Sequence, residues 1–89
     1  MSSFDTMKAY LNTFDPKVTV MRGKNDGDDY NYLFASDGQY QITISENICT
    51  KRVSVGVSAT NVSMVFKGLE WDEAFKRLRV AQLVVKEVT

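Results

Sequence analysis

Valine recurs at every second position in "RVSVGVSA": Val53, Val55, Val57 and Ala59 share one side, while Ser54, Gly56 and Ser58 share the other. A period of two is the signature of a strand with one dry and one wet face, and it is incompatible with a helical stripe. The next stretch, "NVSMVFK", keeps the same period with Val62, Met64 and Phe66. A tight turn at Thr60-Asn61 would place Val57 opposite Met64 and Val55 opposite Phe66. This half of the chain therefore demands a sheet with one apolar face, and whatever lies before and after must cover that face.

Three earlier segments follow the same rule. "KVTVMR" alternates, and "YNYLFA" and "QYQITIS" are separated by "SDG". A two-residue Asp-Gly loop sets Tyr40 opposite Ala35 and Ile42 opposite Leu33. A three-residue Ser-Asp-Gly loop with Gly38 left-handed sets Tyr40 opposite Phe34 and Ile42 opposite Tyr32. The second register gathers the large side chains on one face and is the one expected here, with Phe34, Ile42 and Val55 inward and Ala35, Gln41 and Ser54 outward.

The flanks read as helices. In "SSFDTMKAYLNTFDP", Phe4, Met7, Leu11 and Phe14 form one apolar stripe, Ser2 and Asp5 resemble a capping pair, and Pro16 stops the helix before Asp15. In "LEWDEAFKRLRVAQLVVKEVT", Trp71, Ala74, Phe75, Leu78, Ala81 and Val85 form a second stripe, and Asp72 and Glu73 suit a helix start. Its valine-rich end, residues 80–88, reads as helix or as a sixth strand, and periodicity does not separate the two. The expected fold is α+β: an N-terminal helix, a five-stranded antiparallel β-meander and a C-terminal helix, with both helices on one face of the sheet. At 89 residues this is a single small globular domain spanning 1–89.

Composition excludes several functions. Eleven basic and eleven acidic side chains cancel, which removes both the basic footprint of a nucleic-acid binder and the charge of an acidic DNA mimic. The balance is uneven along the chain: residues 1–47 hold four basic and seven acidic groups, a net of −3, and residues 48–89 hold seven and four, a net of +3. With no histidine and one cysteine, histidine-dependent triads, His-based or four-cysteine zinc sites and intrachain disulfides are all ruled out. The lone thiol, Cys49, suits a reducing compartment and reads as a small buried side chain. "MSSFDTMKAY" lacks the pattern of a signal peptide, and no apolar run is long enough to span a bilayer, so a cytoplasmic protein without membrane contact is expected, cytoplasmic in the host cell if the source is viral.

Three surfaces invite a role. The first is the acidic stretch "GKNDGDDYNY", with Asp26, Asp28, Asp29 and Tyr30. Counted from Asp26 as a calcium-loop start, position six is Asn31 and position twelve is Asp37, where glycine and glutamate are required, so no metal and no cofactor is expected. A solvated hairpin loop, a contact loop for a partner's cations with Tyr30 and Tyr32 as anchors, and a looser cation site are the three readings of it. The second surface is the outer side of the last helix, where Val80, Leu83 and Val84 form an apolar patch beside Lys76, Arg79 and Lys86. The third is the outward sheet face, expected to carry Gln39, Gln41, Thr43, Ser54, Ser58 and Ser63, with the aromatic residues on the opposite, inner side. Asp5, Asp15, Asp37 and Glu46 fall at helix ends and turns, where carboxylates do structural work, so no enzyme is expected.

In its brevity, single domain, missing catalytic set and sheet-plus-helix plan, the chain resembles the small proteins that phages use against host machinery, including anti-CRISPR proteins. The resemblance is one of plan and carries over no residues. It implies a non-enzymatic protein-binding module, with a phage-type inhibitor of a host or defence protein as one form. A self-assembling structural subunit is the first alternative, and a weak single-stranded nucleic-acid binder the second.

Overall fold

The computed structural model describes residues 2–88; Met1 and Thr89, the two ends of the expected domain, lie outside the described residues. Helix α1 spans Ser3–Asn12, strands β1 Thr19–Asn25, β2 Asp28–Asp37, β3 Tyr40–Asn47, β4 Val53–Ser58 and β5 Ser63–Leu69 follow, and helix α2 spans Trp71–Val88. The strands form one antiparallel sheet in the order β1-β2-β3-β4-β5. The α+β meander expected from the alternation is therefore the fold, and residues 80–88 are helix.

Local chemistry sets the boundaries. The Ser2 hydroxyl accepts from the Asp5 amide at 3.2 Å and donates to the Asp5 carboxylate at 2.9 Å, which starts α1. After α1, the Asp15 carboxylate accepts from the amides of Lys17 at 2.8 Å and Ser36 at 2.7 Å. One side chain thus ties the connection between α1 and β1 to the end of β2. Asp26 and Gly27, at φ 51° and 84°, form the β1–β2 hairpin turn, with both central residues left-handed as a type I′ turn requires. Between β4 and β5 the register shifts by one residue after Phe66, with Gly68 left-handed at φ 69°. That bulge returns Leu69 to the inner side, opposite Val53.

The core lies between the helices and one face of the sheet. Met7 and Leu11 of α1 and Ala74, Leu78, Ala81 and Val85 of α2 join Leu33, Ala35, Tyr40, Ile42, Ile44, Val53, Val55 and Val57 in one buried cluster. The Tyr10 hydroxyl donates to Gln82 Oε1 at 2.9 Å, and the Phe4 and Trp71 rings meet edge to face at 6.4 Å, so the helices also bind each other. Gln82 is the polar member of the α2 core stripe; its Nε2 donates to Asp37 at 3.3 Å, and Asp37 also accepts from the Tyr40 hydroxyl and pairs with Lys86 at 3.4 Å. Burial first, and the Asp37 carboxylate second, hold the Tyr40 hydroxyl above the usual tyrosine range.

The β2–β3 register corrects the expected one. The connection is Gly38-Gln39, which pairs Asp37 with Tyr40, Ala35 with Ile42 and Leu33 with Ile44. Leu33 and Ala35 are inward and Phe34 is outward, the reverse of the face assigned to this strand from its large side chains. Two physical reasons favour the observed choice. Turning Tyr30 and Tyr32 inward would take two hydroxyls from water. Ser36 must also lie where its amide reaches Asp15, which sets the strand's position from outside the sheet.

Candidate interaction face

Alternation carries the β2 register correction to every other residue of that strand. Tyr30, Tyr32 and Phe34 project from the sheet face opposite the core, the side from which sequence reasoning had excluded the aromatic residues. Their rings form one row: Tyr30 and Tyr32 stack at 5.8 Å with planes 24° apart, and Tyr32 and Phe34 at 6.0 Å with planes 18° apart. Thr19, Met21 and Gly23 of β1 share this face, as do Thr43 and Ser45 of β3, Ser54, Gly56 and Ser58 of β4, and Ser63, Val65 and Lys67 of β5. Of these strand residues none is buried.

The face has relief. Tyr30 and Tyr32 stand on one side and Val65 and Lys67 on the other; between them Thr43, Ser45, Ser54 and Gly56 make a low floor. The result is a trough of about 520 Å³, with Asn25 and Asp26 at one end. Val65 on its rim keeps 59% of its surface, and Met21 and Phe34 on the same sheet face beyond the trough keep 54% and 37%. Charge is scarce, since Asp28 and Lys67 are the charged strand residues of this face. Low charge with aromatic, methionine and valine side chains is the composition of the central part of a protein interface.

Asn47 anchors one end of the aromatic row. It is the buried polar residue of this face. Its Nδ2 donates to Asp28 Oδ2 at 3.2 Å and to the Tyr30 hydroxyl at 3.3 Å. Its Oδ1 accepts from the amides of Cys49 at 2.9 Å and Thr50 at 3.1 Å. One amide side chain therefore holds the first tyrosine, the strand after the acidic turn and the β3–β4 loop. Cys49 sits on that loop and is exposed, not the buried thiol expected.

The expected acidic group is dispersed. Asp26 lies at the turn tip and reaches the trough, Asp28 is held by Asn47, and Asp29 pairs with Lys24 at 3.8 Å. Asp28 and Asp29 are successive strand residues and so project to opposite faces, which divides the three carboxylates. Among the described residues no group of three or more acidic or cysteine side chains converges as a metal site would require. Tyr30 is separated from the acidic function and belongs to the aromatic row. Lys76, Arg79, Val80, Leu83 and Val84 are together on the exposed side of α2, on the far side of the core from the trough. Tyr32 was named beside the acidic loop, but its row with Phe34, and Met21 and Val65 on the same face, have no counterpart in the sequence reading. Its signal was present in "YNYLFA", where both strand faces are apolar and one of them carries the hydroxyls.

No helix among the described residues is long and apolar enough to cross a membrane. No family model matches the chain, and no curated protein or solved structure shows significant similarity to it.

Proposed function

We propose that the chain is a non-enzymatic protein-binding module that receives its partner on the open face of the sheet. The observation behind this reading is the ring row Tyr30–Tyr32–Phe34, half-buried at the tyrosines and exposed at Phe34, on a face almost without charge. Aromatic side chains deliver large contact area at low entropic cost, and the exposed Phe34, Met21 and Val65 beside the half-buried tyrosines make a surface that gains by being covered. The hydroxyl-bearing floor of the trough supplies hydrogen-bond groups for a partner's backbone or polar side chains. Inhibition of a host or defence protein is the form of binding that the resemblance in plan to small phage proteins suggests.

The aromatic row also favours a second reading, a single-stranded nucleic-acid platform, and ring geometry weighs against it. Base stacking needs a ring face open to solvent. Here neighbouring rings lie near-parallel at 5.8 and 6.0 Å, which leaves too little room for a base to enter between them. The cation on this face is Lys67 at the sheet's last strand, too little to track a phosphate backbone.

The test is quantitative capture of proteins from the natural host by the parent and by Phe34→Ser/Val65→Ser. Both positions are exposed, so the variant folds. A protein retained by the parent and lost by the variant supports the reading. Equal retention by both overturns it, and a salt-sensitive shift of the parent with single-stranded nucleic acid would favour the alternative.

A further inference from the structure

Helix α2 carries two seams of the same period. Trp71, Ala74, Leu78, Ala81 and Val85 follow spacings of three and four and face the core. Glu73, Lys76, Val80, Leu83 and Glu87 repeat those spacings two residues later, about 200° around the helix, and every one of them is exposed. Val84 flanks this second seam, and Leu83 keeps 66% of its surface. A regular three-four spacing with apolar centre and charged ends is the pattern of a coiled-coil seam. We infer that the outer seam of α2 pairs with the same seam of a second copy, antiparallel, about a two-fold axis passing between Val80 and Leu83.

Charge fixes the direction and the register. An antiparallel pair about that axis sets Val80 on Leu83 of the second copy and Lys76 on Glu87 of the second copy, each twice by symmetry. Every layer is then either apolar or oppositely charged. A parallel pair would set Lys76 on Lys76, Glu87 on Glu87 and Glu73 on Glu73, with like charges in three layers. Among the described residues neither Lys76 nor Glu87 has an ion-pair partner within the chain. Arg79 comes alongside Lys86 of the second copy, but Lys86 is already paired with Asp37 at 3.4 Å. With one apolar layer and its symmetry mate, the contact is small, and its dissociation constant falls on the order of micromolar or weaker.

This surface is separate from the sheet face, so the two proposals stand or fall independently. Sedimentation equilibrium over a wide concentration range is the measurement. The parent should show a reversible monomer–dimer equilibrium, and Leu83→Asp should remain monomeric and folded. Lys76→Glu alone and Glu87→Lys alone each set like charges against each other at both ends and should weaken association about tenfold or more. The double variant Lys76→Glu/Glu87→Lys should recover the parent's affinity. In a Cys49→Ser background, Val80→Cys mixed with Leu83→Cys should cross-link across the pair, while Lys76→Cys alone should not. A parent that stays monomeric, single reversals without effect, or a double reversal that fails to recover would each overturn the inference.

Discussion

The Tyr32 ring lies over Gly23 of the neighbouring strand, with its Cε2 3.3 Å from where a Cβ on Gly23 would stand. The aromatic row thus leans on a position without a side chain, and that bare strand segment sets the angle of the middle ring. Gly23→Val should push Tyr32 off its place, break the stack with Tyr30 and Phe34, and change the near-ultraviolet circular dichroism. Partner capture should weaken while the fold persists. An unchanged aromatic signal would show that Gly23 does not set the row.

The inward and outward residues of β2 differ in energetic weight. Leu33 is fully buried, so Leu33→Ala should cost about 2–5 kcal/mol in urea unfolding. Phe34 sits outside, and Phe34→Ala should cost no more than about 1 kcal/mol. Reversed costs would place Phe34 in the core and contradict the observed register.

Asn47 joins three segments through one amide. Asn47→Ala leaves the amides of Cys49 and Thr50 without their acceptor and should cost about 1–3 kcal/mol. Loosening of that loop should also raise the rate at which a thiol reagent modifies Cys49. Asn47→Asp keeps the acceptor but replaces the donor to Asp28 with a second carboxylate, so it should cost stability even though the loop amides stay paired.

The two ends of the pH scale report on different ties. The amides of Lys17 first and Ser36 second hold the Asp15 carboxyl below its ordinary value of 3.8. The charged form is favoured by folding, so the stabilisation is complete above about 3.8 and is lost as pH falls through the lowered folded value. Asp15→Asn should therefore lower stability at neutral pH and flatten that acid limb. Tyr40 has the opposite sign. Its raised pKa leaves stability intact below its ordinary value of 10.0 and removes it as pH rises through the folded value. Tyr40→Phe should remove that alkaline loss, read by thermal unfolding across pH.

Strands β4 and β5 were legible in the sequence because one face is uniformly valine, methionine or phenylalanine and the other, Val65 apart, is small or polar. Their pairing follows from the Thr60-Asn61 turn, and Val57 does face Met64 and Val55 does face Phe66. Strand β2 was not legible in the same way, because Leu33 and Ala35 on one side and Tyr30, Tyr32 and Phe34 on the other are all apolar enough to bury. Its face is set by partners far away in sequence, Asp15 at Ser36 and Asn47 at Tyr30, which no local period reveals. The acidic turn was legible as a turn, since Asp-Gly suits left-handed geometry, but not the dispersal of its carboxylates, which depends on pairing across the sheet. The exposed stripe of α2 was legible because its charge and apolar spacing need no tertiary information. Gln82 was not, because a single glutamine in an apolar stripe gains its meaning only from Tyr10 and Asp37 opposite it.

Hydroxyl-radical footprinting of the captured complex shows directly whether the open sheet face receives the partner. The method reads side chains, and methionine and aromatic rings are its most reactive targets. The free protein should be modified readily at Met21, Tyr30, Tyr32 and Phe34, and the complex should protect all four severalfold. Val80, Leu83 and Val84 on α2 should keep the reactivity they have in the free protein at the same concentration. Protection confined to α2, or unchanged modification of the aromatic row in a formed complex, would contradict the claim.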